Sequence, residues 1–152
     1  MLNVVLVYPD IPYNTGNIGR LCLGLDSVLH LVKPLGFKIN DKYLKRAGLD
    51  YWKEVNCVVH ESYEDFLKYA GDARLVFAST KAQISCYDYE YKKGDFLVFG
   101  SETKGLPEEI VYNNIDKAVK IPMCGKIRSL NLSNSVAVIL YEAYRQNNFF
   151  TT

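Results

Sequence analysis

A chain of 152 residues, 49% hydrophobic and 23% charged, fits a single soluble domain built round one core. The net charge of +1 gives no global attraction to nucleic acid, and no apolar run approaches the roughly 20 residues of a membrane span. The opening residues Met1 to Tyr8 lack the basic start and cleavage site of a signal peptide, so a cytoplasmic location is expected.

Val4 to Tyr8 is an apolar run closed by Pro9 and reads as the first strand. The segment "PDIPYNTGNIGR" that follows is read as a tight turn through Asn14, Gly16, Asn17 and Gly19, exposing backbone N–H groups at a helix start. That places Arg20 on the first turn of a helix running from Ile18 to Leu25. A turn with a merely solvated arginine carries about equal weight at this point, because short glycine motifs recur by chance. Val28 to Val32 is a second strand, Asp41 to Leu49 a short helix with Asp41 as N-cap, and Val55 to His60 a third strand. In "SYEDFLKYAG", Ser62 caps a helix, Asp65 sits three residues on, and Gly71 stops it. Arg74 to Ser79 and Asp95 to Phe99 are further strands, with a short helix from Pro107, a strand in "KAVKIP" and a last helix from Ser133 to Gln146. Strands alternating with helices predict an α/β fold, a mostly parallel sheet with helices on both faces. Ligands then gather beyond the carboxyl ends of the strands, in the loops after Tyr8, Ser79, Phe99 and Ile121.

The four cysteines, Cys22, Cys57, Cys86 and Cys124, form no CxxC, and only His30 and His60 are available beside them. Reduced thiols and no metal site are expected. "GSETKGLP" spaces Gly100 and Gly105 as a phosphate loop does, but Leu106 stands where that loop needs lysine. A GxGxxG is missing after the first strand, so nucleotide hydrolysis and nicotinamide chemistry lose their best support. What remains is a glycine-flanked loop with one carboxylate, Glu102, suited to closing backbone round a flat ligand or to sitting near a helix dipole. The stretch "IPMCGKIRSLNLSNSVAVILYEAYRQ" joins a polar half to an apolar helix. A helix cap needs one polar residue, Asn131 or Ser133, and five are clustered there.

These three loops, in this order, resemble the three motifs of the SPOUT superfamily of RNA methyltransferases: "NTGNIGR", "LVFGSETKGLP" and the Ile121–Gln146 stretch. The resemblance spans nearly the whole chain. With "DKYLKRAGLDYW" it is nearest to the minimal single-domain branch, whose members 2′-O-methylate the wobble nucleotide of leucine tRNAs. It implies a deep C-terminal trefoil knot, S-adenosyl-L-methionine as cofactor with S-adenosyl-L-homocysteine as product, a tRNA substrate, a homodimer, and neither metal nor membrane. Matched by motif position, the cofactor residues are Ala78, Ser79, Thr80, Gly100, Glu102, Gly105, Ile121, Met123, Ser129 and Leu130. Gly100 is expected to keep side-chain atoms out of the ligand's space, and Ile121 and Leu130 to wall the adenine. The implied catalytic group is Arg20, with Asn14 and Ser133. A guanidinium is a doubtful base, so orienting the 2′-hydroxyl and its phosphate weighs at least as much as taking its proton. Lys42, Lys45, Arg46, Arg128, Asn134 and Tyr141 are the expected RNA contacts, against an ordinary solvated face for the lysines and an inter-subunit contact for Arg128 and Tyr141. Another tRNA or ribosomal RNA position, or a non-catalytic RNA-binding module of the same fold, stays open as an alternative.

Overall fold

The computed structural model describes residues 1–40, 42 and 49–151. Among the described residues seven strands form one sheet in the order β3-β2-β1-β6-β4-β7-β5. They are β1 Asn3–Val7, β2 Val28–Val32, β3 Cys57–His60, β4 Leu75–Ala78, β5 Ile84–Ser85, β6 Phe96–Phe99 and β7 Ala118–Lys120. Every strand pairing is parallel. A parallel sheet is covered on both faces, so its central strands read as unbroken apolar runs, as "VVLV" and "FLVF" do. The period of two sorts them. Val4 and Leu6 of β1 join a core with Ile18, Cys22, Val136, Ile139, Leu140 and Ala143, while Val5 and Val7 join one with Phe66, Ala70, Leu106 and Val111. The first core is roofed by helices α1 (Pro12–Gly24) and α4 (Leu132–Gln146), the second by α2 (Tyr63–Ala70) and α3 (Glu108–Asn113).

The α2 capping reads as expected: the Ser62 hydroxyl accepts from the Asp65 N–H, and Gly71 closes the helix at φ 58°. The start of α1 differs. The helix begins at Pro12, six residues before Ile18, so Asn14, Gly16 and Gly19 lie inside it and Arg20 sits on its third turn. Proline at the first helical position sets φ and spares an N–H that would be orphaned there. Of the expected Asp41–Leu49 helix only Lys42, which is exposed, and Leu49 are described; Lys45 and Arg46 fall outside the described residues. The chain resumes as a 3₁₀ helix, Leu49–Glu54. The short strand β5, paired to β7, had no counterpart in the reading of the sequence.

Under α2 lies a polar chain in an apolar setting. Reading Asn3 Oδ1 as acceptor, His30 Nε2–H donates to it at 3.0 Å, leaving His30 Nδ1 to accept from His60 Nε2–H at 3.0 Å. Both imidazoles are buried and ringed by Phe66 and Tyr69, with Phe96 against His30. Burial, with His60 nearby, lowers the pKa of His30 to about 4, and burial lowers that of His60. A base with a depressed folded pKa adds stability that is complete above its unfolded value and is lost as pH falls below it. The window runs from about 6.5 down towards 4. Urea unfolding at pH 5 is expected to give a stability lower by about 2 kcal/mol than at pH 7.5. His30→Gln is expected to flatten that slope, and an unchanged slope would remove the pair from the explanation.

Candidate active site

The carboxyl ends of β4, β6 and β7 open into a cavity of about 300 Å³. Its size is that of a small-molecule site. Ala78, Ser79 and Thr80 follow β4, residues 100–106 follow β6, and Ile121, Met123 and residues 128–130 follow β7. All ten residues assigned to the cofactor by motif position lie on this one wall: Ala78, Ser79, Thr80, Gly100, Glu102, Gly105, Ile121, Met123, Ser129 and Leu130. Arg128 lines it too; Asn134, Tyr141 and Arg20 do not. Asn134, Tyr141 and Arg20 are solvent-exposed.

The loop's own backbone gives a reason for glycine at position 100. A Cβ there would stand 2.5 Å from the Gly105 carbonyl oxygen, and closer still to the Gly105 carbonyl carbon and the Leu106 nitrogen. The loop folds back on itself: Gly105 N–H donates to Ser101 O at 3.0 Å and Ser101 N–H to Gly105 O at 3.3 Å, and Gly105 has φ 67°. The glycine makes room for the loop's own backbone.

Glu102 ties this loop to the first. Its Oε1 accepts from the Asp10 N–H at 2.8 Å, and its Oε2 from the Ile11 N–H at 2.8 Å and Asn14 Nδ2 at 3.2 Å. Helix α1 has no side-chain cap of its own, and Glu102 supplies the negative charge that its N-terminus favours. Thr103 Oγ1 donates to Asp10 Oδ2 at 3.0 Å beside it. The third loop joins through Asn131, whose Nδ2 donates to Asn14 Oδ1 at 3.2 Å. Asn131, not Ser133, is the cap of α4: its Oδ1 accepts from the Ser133 N–H at 2.9 Å and the Ser133 hydroxyl at 2.6 Å. Both ends of the Asn14 amide are thus engaged, and the residue is buried. The chain Asn131–Asn14–Glu102 was not anticipated from sequence. Its signal was the surplus of polar side chains around a cap that needs one.

Four cations, Lys81, Lys104, Lys120 and Arg128, stand at the wall. Lys81 is held by Glu108 at 2.5 Å, which raises the amine's pKa and lowers the carboxylate's. Among the described residues no cluster of three or more histidine, cysteine, aspartate or glutamate side chains can hold a metal ion. The donor set of the cavity, hydroxyls and backbone groups between the apolar walls of Ile121, Met123, Leu130 and Leu132, suits an uncharged aromatic base with a polar tail.

The profile of the SpoU rRNA Methylase family matches residues 1–141. A tRNA (cytidine(34)-2′-O)-methyltransferase of Methylovorus glucosotrophus is 49% identical over 150 residues, covering 98% of this chain and 97% of its own. A structure solved for insights into the 2-OH methylation of C/U34 on tRNA superposes with a TM-score of 0.94 at 45% identity, covering 97% of each chain. The SpoU methyltransferase AviRb of Streptomyces viridochromogenes, solved in complex with the cofactor AdoMet, has a TM-score of 0.87 at 27% identity and covers 97% of this chain and 61% of its own. In profile, sequence and fold, the chain belongs to the SpoU rRNA Methylase family of methyltransferases.

Proposed function

We propose that this chain transfers the methyl group of S-adenosylmethionine to the ribose 2′-oxygen of the wobble nucleotide, cytidine or modified uridine, in the anticodon of leucine tRNAs, in the cytoplasm. The observation that carries it is the single cavity holding all ten motif-matched residues, hydrogen-bonded through Glu102 and Asn14 to the helix that bears Arg20. The relatives named for position 34 of tRNA support that target. When bound, the cofactor supplies a methyl group activated on a sulfonium. Ile121, Leu130 and Met123 wall its adenine, and Ser79, Thr80 and Ser129 offer hydroxyls to its polar parts.

The ribose oxygen would gain the methyl and release its proton to solvent water, with S-adenosylhomocysteine as the product. A 2′-hydroxyl is a poor nucleophile at neutral pH, so alignment is the main demand on the protein. Arg20 orients the hydroxyl and the adjacent phosphate as a fixed cation with paired donors. Lys104, Lys120 and Arg128 draw the RNA backbone to the cavity mouth. The reading includes the trefoil knot of the family and a homodimer, supported by the exposed rings of Tyr141 and Phe149, packed edge to face at 6.2 Å. Sedimentation at twice the chain mass checks the dimer.

The deciding assay is transfer of labelled methyl from S-adenosylmethionine to tRNA lacking its own modifications, followed by nucleoside analysis. A 2′-O-methylated nucleotide at position 34 of leucine isoacceptors is expected. Label in ribosomal RNA, or at another tRNA position, would move the target. No label in a preparation that binds the cofactor on every RNA offered would end the catalytic reading.

A further inference from the structure

The residues beside Arg20 carry an arrangement that the cavity does not explain. Gly19 lies inside α1, where glycine is a poor choice. A Cβ on it would meet Trp52 at 2.6 Å from Cζ3 and 3.0 Å from Cε3, and Val55 at 3.4 Å. The indole of the 49–54 segment therefore fills the place of a side chain at position 19 and docks that segment on the helix. The neighbours of this joint are the groups of interest: Arg20 follows Gly19, and Tyr51 precedes Trp52. The Arg20 guanidinium carbon lies 5.6 Å from the centre of the Tyr51 ring. Both side chains are exposed, and among the described residues Arg20 forms no ion pair.

A carboxylate partner would hold an arginine more tightly, but it would neutralise the charge and occupy the guanidinium fork. An aromatic face restrains the same group while leaving its charge and its five N–H donors free. We propose that Tyr51 is a positioning residue for Arg20: its ring, fixed by the Trp52–Gly19 joint, presents the guanidinium to an RNA phosphate and ribose without competing for them. The proposal rests on the role given to Arg20 above.

The test pairs single-turnover methyl transfer to tRNA with proton NMR of the Arg20 side chain, assigned by the signal that disappears in Arg20→Lys. In the wild type the Arg20 δ-protons are expected upfield from the ring current of Tyr51. Tyr51→Leu is expected to remove that shift and slow transfer about threefold to fivefold, the worth of an exposed cation–π contact. S-adenosylmethionine affinity and melting temperature are expected to stay unchanged. Tyr51→Phe, which keeps the ring, is expected to restore both shift and rate. Gly19→Ala, a better helix former, is expected to reproduce the Tyr51→Leu defect and to shift the emission of Trp52, the one tryptophan of the chain. An Arg20 signal indifferent to Tyr51→Leu overturns the proposal, and so does an equal loss of rate in Tyr51→Phe. If the wild type methylates no tRNA, the functional reading fails and the NMR comparison alone decides this one.

Discussion

Arg20→Ala is expected to slow methyl transfer at least about 100-fold in single-turnover rate, and to leave S-adenosylmethionine affinity within about twofold. The split follows from position. Arg20 is exposed on the third turn of α1 and lines none of the cavity proposed for the cofactor. It does not contribute to the cavity wall, so its loss leaves the hydroxyls and apolar faces of that wall where they are. Under the proposed reaction the guanidinium aligns the attacking oxygen, and misplacement of reacting groups by about 1 Å costs on the order of 100-fold. Arg20→Lys keeps the charge but loses the planar fork, and an intermediate rate is expected. Calorimetric titration with the cofactor and rapid-quench transfer to tRNA separate the two quantities. Undiminished turnover in Arg20→Ala would refute the assigned role, and a matching loss of cofactor affinity would recast the residue as part of the binding site.

Gly100→Ala is expected to have the second large effect, and it falls on the cavity itself. The added methyl group overlaps the backbone of Gly105 and Leu106, which cannot swing aside as a flexible side chain does. The 101–106 turn must shift, and with it the carboxylate of Glu102 that receives the Asp10 and Ile11 N–H groups. Overpacking of this kind costs about 1–3 kcal/mol. A melting temperature lower by several degrees and a cofactor affinity reduced more than tenfold are expected together. Thermal denaturation and calorimetric titration read them out, and a variant that melts and binds as the wild type does would show that the loop has slack.

Much of the architecture was legible because a doubly covered parallel sheet leaves a simple trace, and runs such as Val28–Val32 bury both faces. Helix α2 was legible because Ser62 and Gly71 carry local chemistry that no distant contact overrides. The start of α1 was misread for the opposite reason. Gly16 and Gly19 look like a turn locally, and what makes Gly19 a helical residue is an indole more than thirty positions away. Strand β5 has two residues, too few for any pattern. The cavity residues were reachable through motif resemblance, and the structure brings all ten to one wall. The bonds among them were not, because a glutamate after one strand gives no local sign that it caps a helix after another.

The Asn131–Asn14–Glu102 chain closes over sequence distances of 117 and 88 residues. Its last member to be synthesised belongs to the cap of the final helix. A nascent chain that has left the ribosome as far as β6 already has its central parallel pairings available, yet Asn14 still lacks the partner for its carbonyl oxygen. The first two loops are therefore joined through Glu102 before the third exists, and the site as proposed is complete only once the segment round Asn131 has docked on them.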